Sequence, residues 1–156
     1  LELLNHYGYT TKTDLIYLQC FDFNELKRIK IQLKSDIKLV QLIAENEWAE
    51  SDTDYEFLKT SEGLSEISNI ASGIGPWYGQ LASYTKRQSL EPTGIVSAAQ
   101  SLGMVVHPYT FRADELVNPF TNFNSMIQWY INELKIDGLF TDFPDLVIKA
   151  INYDNY

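Results

Sequence analysis

A chain of 156 residues, 45% hydrophobic and 21% charged, holds enough apolar material for one folded core and lacks the composition of a disordered segment. Its 12 basic and 21 acidic residues give a net charge of −9, which disfavours nucleic-acid backbones and anionic membrane surfaces, and no run of about 18 apolar residues offers a membrane span. The single Cys20 excludes an internal disulfide and, set inside an apolar run, reads as a small core residue.

In chain order, residues 1–6 read as the tail of a helix ended at Tyr7-Gly8, where glycine can adopt the left-handed conformation; further strand-helix units are expected ahead of it. Strands are expected at residues 15–20, 38–44, 73–75, 104–109 and 138–141, mostly near-continuous apolar runs, as suits strands covered on both faces. After the first strand, Asp22-Phe23-Asn24-Glu25 has the form of a helix cap in which Asp22 accepts and Glu25 reciprocates, followed by an apolar face of Leu26, Ile29 and Leu33. Lys27, Arg28, Lys30 and Lys34 fall on the outer side of that helix as a solvated stripe. Residues 45–62, rich in acids and aromatics, and residues 78–93, which include Lys86-Arg87, are long strand-to-helix connections, the side of such a fold where loops carry function. Phe123, Met126, Ile127, Tyr130 and Leu134 mark another helix face at spacings of three and four. The last helix is expected to start at Asp142 or Phe143, with Pro144 tolerated in its first turn and Asp145 favoured there by the helix dipole.

This alternation predicts an α/β fold with parallel strands. Five units of about 30 residues use up the chain, whereas a closed TIM (β/α)8 barrel needs eight units and about 250 residues. The expected fold is therefore the carboxyl-terminal five strand-helix units of such a barrel, incomplete in this chain, with residues 1–156 forming one partial domain. An open five-strand sheet is the competing arrangement.

A barrel of this kind places its site at the carboxyl ends of its strands. The polar and aromatic residues there are Gln19, Phe21, Gln41, Trp77, His107, Tyr109, Thr110, Arg112, Phe140 and Thr141; all but the two threonines are taken as substrate-binding candidates. Arg112 can clamp an anion bidentately or pair with Asp114 or Glu115 in an ordinary loop, while the aromatic rings can enclose an apolar or polyol group. His107, alone between apolar strand residues, reads more readily as a wall residue than as a general base, and the other histidine, His6, lies in the first helix. Asp52-x-Asp54 lacks the glycine and distal Glu of a calcium loop. Gly73-Ile74-Gly75-Pro76-Trp77 is no phosphate loop, because Pro76 removes a backbone donor; its glycines instead suit a tight strand end that sets Trp77 at a pocket rim. No catalytic residue and no metal ligand is assigned within the chain.

The segments Tyr17-Leu18-Gln19-Cys20-Phe21-Asp22, Leu39-Val40-Gln41-Leu42-Ile43-Ala44, Gly73-Ile74-Gly75-Pro76-Trp77, Val106-His107-Pro108-Tyr109-Thr110-Phe111-Arg112 and Gly138-Leu139-Phe140-Thr141-Asp142-Phe143-Pro144-Asp145, preceded by Tyr7-Gly8-Tyr9, together resemble the bacterial glycerophosphodiester phosphodiesterases of the exported type. The resemblance implies metal-dependent hydrolysis of glycerophosphodiesters to sn-glycerol 3-phosphate and an alcohol. It also implies a divalent ion, commonly calcium, on carboxylates of early strands, with two histidines from a His-Arg-Gly and a His-Asp motif as acid and base. Neither motif occurs here, and His107 matches a later strand, so the resemblance implies that the ligands and the acid-base pair lie upstream and that this chain supplies later strands and pocket walls around a small-molecule substrate. A periplasmic or secreted bacterial location follows from the subfamily likeness alone. The alternative is a catalytically inactive half-barrel that binds or assembles.

Overall fold

The computed structural model describes residues 1–84 and 89–152, so the Lys86-Arg87 pair lies outside the described residues. A parallel sheet runs in the order β1 (Leu18–Cys20), β2 (Leu39–Ile43), β3 (Gly73–Pro76), β6 (Val105–Val106), with a separate antiparallel hairpin of β4 (Ala82–Tyr84) and β5 (Leu90–Pro92). The helices are α1 (Glu2–His6), α2 (Phe23–Lys27), α3 (Tyr55–Leu58), α4 (Ser61–Ser68), α5 (Ile95–Ser101), α6 (Phe123–Asn132) and α7 (Pro144–Asn152). Within the described residues the sheet is open.

Strand parity decides what each residue faces. Leu39, Ile43, Ile74 and Val106 point into the core shared with the helices, together with Leu26, Leu64, Ile67, Val96, Met126 and Ile127. The opposite face carries Val40, Leu42, Gly73, Gly75, Val105 and His107. Its glycines are required by close approach: a Cβ at Gly73 would sit 2.5 Å from Val105 Cγ2, and one at Gly75 would sit 2.7 Å from Leu42 Cδ2. Small and large residues thus alternate across this inner face.

Several expectations are corrected. The first strand begins only at Leu18, whose N–H donates to Lys38 O at 2.9 Å; β2 starts at Leu39, so residues 15–17 lack a ladder partner, and Leu15 is 97% exposed. Residues 104–109 pair regularly only at Val105–Val106, because Pro76 on the neighbouring strand has no N–H to give to His107 O. The run still follows its neighbours, through His107 N–H to Ile74 O at 2.9 Å and Tyr109 N–H to Pro76 O at 3.1 Å. Pro108, which has no N–H to give toward residues 138–141, leaves that run without a regular ladder. They are held by Phe140 N–H to Pro108 O, Phe111 N–H to Phe140 O and a single parallel bridge between Phe111 and Thr141.

Asp22 caps α2 by accepting from the N–H groups of Asn24 and Glu25, but Glu25 does not reciprocate, since Arg28 takes both its carboxylate oxygens at 2.7 Å. Leu33 does not continue the face of Leu26 and Ile29: the chain widens into a π-helical turn over Arg28–Gln32, which shifts the periodicity and leaves Leu33 exposed. Cys20 is only half-buried. The helix at Glu2–His6 ends with Gly8 at φ +85°, as its sequence predicts.

Candidate active-site cleft

At the carboxyl ends of the strands a cleft of about 270 Å³ is bounded by Gln19, Phe21, Leu42, Tyr109, Thr110 and Phe140. They converge because Gln19 and Phe21, Leu42 and Tyr109 share the inner parity of their strands, while Phe140 is anchored by its backbone to Pro108 and Phe111. Phe21 meets the Tyr109 ring edge-on at 5.8 Å. The Tyr109 hydroxyl is spent structurally, donating to Ile43 O at 2.9 Å. Burial, with the charges of Glu50 and Glu45 adding to it, raises the Tyr109 pKa far above its ordinary value, so this group stays protonated and serves as a wall rather than a base. Larger grooves exist at the two open sides of the sheet, an apolar one of about 390 Å³ beside α6 and α7 and a mixed one of about 710 Å³ beside α1 and α2 that includes Glu2, Asn5, Glu25 and Arg28, but neither lies at the strand ends where this architecture collects its chemistry.

Of the eight candidates, the structure brings Gln19, Phe21, Tyr109 and Phe140 together and separates the others. Gln41 shares its parity with Leu39 and Ile43 and faces away from the cleft; fully buried, its Nε2 donates to Phe21 O at 2.8 Å and Leu42 O at 2.7 Å. His107 lies one layer further down the inner face, half-buried between Tyr17, whose ring it meets edge-on at 5.1 Å, and Gly138, where a Cβ would stand 2.9 Å from the imidazole. Burial holds its pKa below the ordinary histidine value despite the charge of Asp137. Arg112 is held outside the cleft by carboxylates: Asp142 and Asp114 at 2.7 Å each, with Glu115 at 3.7 Å. The ordinary loop pairing therefore describes Arg112, and an anion would have to displace these partners.

Trp77 follows β3 and stands beside the cleft, its backbone bridged to Tyr109, while its ring meets Trp48 at 5.3 Å and lines a second groove with Tyr78, Tyr84 and Tyr130. Parity alone would have found Leu42 and rejected Gln41. Nothing local in the sequence signalled the polar latch beneath this rim, where Glu45 accepts from Gln80 Nε2 at 3.0 Å and from Lys59 Nζ at 3.1 Å. Burial pushes the Glu45 carboxyl up, but the bonds from Gln80 and Lys59 outweigh it and hold the group below the usual carboxylate value. Among the described residues no three His, Cys, Asp or Glu side chains gather into a possible cation site, so the residues present do not fit a divalent ion.

Residues 1–146 match the glycerophosphoryl diester phosphodiesterase family. The chain belongs to this family. A glycerophosphodiester phosphodiesterase of Haemophilus influenzae is 38% identical over 167 aligned positions, covering 97% of this chain and 46% of the relative. One from Treponema pallidum is 32% identical, covering 97% and 47% respectively. The crystal structure of a Silicibacter pomeroyi DSS-3 protein assigned as a glycerophosphoryl diester phosphodiesterase superposes with a TM-score of 0.67 at 16% identity, over 97% of this chain and 42% of that one, which supports the α/β fold with its parallel strands. The chain spans about half the length of the curated relatives it matches. In this phosphodiesterase-family chain the described cleft offers walls and hydrogen-bonding groups, and no acid-base pair.

Proposed function

We propose that the chain forms the carboxyl-terminal strand-helix units of a metal-dependent glycerophosphodiester phosphodiesterase, which hydrolyses its substrate to sn-glycerol 3-phosphate and an alcohol. The observation that carries this reading is the cleft at the strand ends, walled by Phe21, Leu42, Tyr109 and Phe140 and lined with polar groups from Gln19 and Thr110, in a chain of this family. Such a cleft suits a glycerol moiety, whose carbon faces pack on rings while its hydroxyls find an amide and a hydroxyl. In this reading hydrolysis draws on a divalent ion, commonly calcium in the exported type. The ligands for it and the acid-base pair would come from residues beyond those present, and this chain by itself accounts for no step that runs through the ion. Its own residues bind, orient and exclude water. The likeness to the exported type supports a periplasmic or secreted location.

The test is turnover of a glycerophosphodiester to glycerol 3-phosphate, by the 156-residue chain alone and by the same chain fused behind the amino-terminal portion of the Haemophilus influenzae relative. The chain alone should be inactive with or without calcium; the fusion should be active and lose activity to a chelator. An inactive but folded fusion would leave the half-barrel binding reading in possession.

A further inference from the structure

Gln41 and Gln80 are the two buried amides among the described residues, and both spend their nitrogens on the ends of strands. Gln41 Nε2 donates to Leu42 O at 2.7 Å and to Phe21 O at 2.8 Å; Gln80 Nε2 donates to Ala44 O at 2.8 Å and to Glu45 Oε1 at 3.0 Å. The Tyr109 hydroxyl takes the carbonyl between them, Ile43 O. Three consecutive carbonyls at the end of β2 are thus held by side chains just beneath the cleft. Each amide leaves its Oε1 without a hydrogen-bond partner among the described residues. A buried acceptor left unpaired is costly, and an apolar side chain of similar volume at position 41 would avoid that cost. What the position uses is the donating half of the amide.

The two acceptors of Gln41 show the use. Cys20 opposite Gln41 is the last β1–β2 pair, and Asp22 already turns away to cap α2. Phe21 therefore stands between ladder and cap, with its ring in the cleft wall and its carbonyl beyond the reach of β2 backbone donors. Gln41 Nε2 supplies the missing donor and ties the ends of β1 and β2 together. The other donors to Phe21 O, the hydroxyls of Ser51 and Tyr55, stand at 3.4 Å each and are weaker. We infer that Gln41 is a positioning residue: its amide fixes the Phe21 backbone and so sets the Phe21 ring against Tyr109 as the wall of the cleft. It acts on bound substrate through Phe21, a consequence that rests on the phosphodiesterase reading above.

Two variants separate the amide from its volume. Gln41→Met keeps the size and loses both bonds; Gln41→Glu keeps the shape and donates only while its carboxyl is protonated, a titration that burial places above the ordinary carboxylate range. The first readout is the nuclear Overhauser effect between the Phe21 and Tyr109 rings of the 156-residue chain, whose centroids lie 5.8 Å apart. It should fall several-fold in Gln41→Met. In Gln41→Glu it should be weak with the carboxyl ionised and recover in part on protonation, while wild type shows no change over the same pH range. An undiminished effect in Gln41→Met, or one that is the same in both protonation states of Gln41→Glu, would overturn the inference; if Gln41→Met does not fold, Gln41→Glu decides. The second readout is kinetic, in the active fusion. Gln41→Met should raise KM several-fold with kcat little changed, because packing on Phe21 is made in ground and transition states alike. Simple destabilisation would instead lower the active fraction, and with it kcat, at unchanged KM, which would refute the positioning role. Because the ring contact is read without turnover, an inactive fusion removes only the hydrolase reading, and an undiminished ring contact in Gln41→Met removes only the role of Gln41.

Discussion

Replacing Lys59 by Met removes one ammonium and keeps an apolar stem of similar length, which isolates the charge in the latch beneath the Trp48–Trp77 pair. Lys59 is only 16% exposed and bridges Glu45, 25% exposed, at 3.1 Å and Glu56, 62% exposed, at 2.5 Å. An exposed pair contributes about 0–1 kcal/mol, and breaking a buried one costs about 3–5 kcal/mol. This half-buried arrangement, in which Gln80 still donates to Glu45 after the change, should cost about 1–2 kcal/mol at neutral pH. The sign of the pH dependence follows from Glu45. Its folded-state pKa is held below the unfolded value of about 4.3, so its contribution is complete above that range and is lost as pH falls through the lower folded value. The gap between wild type and Lys59→Met should therefore be largest near neutrality and close as pH falls through the lowered Glu45 value. Urea unfolding across this range, at low protein concentration and with unchanged m-value, measures it, and a cycle with Glu45→Gln should show a coupling of about 1 kcal/mol. An equal deficit at both ends of the range would refute the charge argument and assign Lys59 to packing of its stem.

Gly73→Ala places a Cβ 2.6 Å from the Val105 carbonyl oxygen, which cannot give way without opening the β3–β6 ladder; a loss of about 2–3 kcal/mol in chemical unfolding is expected. Phe140→Ala, at a residue 38% exposed on the cleft wall, should lower the melting temperature far less than a core Phe→Ala change, while in the active fusion it should lower kcat/KM about 10- to 100-fold; the reverse pattern would make Phe140 a core residue. The half-buried His107, its pKa held below the ordinary value by burial, makes the unfolded chain the better proton acceptor, so stability should fall as pH drops through the ordinary histidine range, and His107→Gln should flatten that part of the profile. Asp22→Ala, which deprives the Asn24 and Glu25 N–H groups of their acceptor, should cost about 1 kcal/mol in the same unfolding assay.

Sequence by itself determined the family, through segments whose order and residues match it, and the rhythm of the fold, because apolar runs and amphipathic spacings are local properties of the chain. The caps at Asp22 and Gly8 and the buried face of Phe123, Met126, Ile127, Tyr130 and Leu134 were legible for the same reason. Tertiary structure decided where strands actually pair, since pairing needs a donor on the neighbour: Pro76 lacks one toward His107 O, Pro108 lacks one toward residues 138–141, and Leu15 has no neighbour. It also decided the site. Gln41 and Gln19 look alike in sequence, but parity turns one toward the helices and the other into the cleft, and Arg112 is removed from the site by Asp142, a carboxylate 30 residues away in the chain. Even the partner of Glu25 changed, because a guanidinium one helical turn away offers two charged bonds where its own capping N–H offers one.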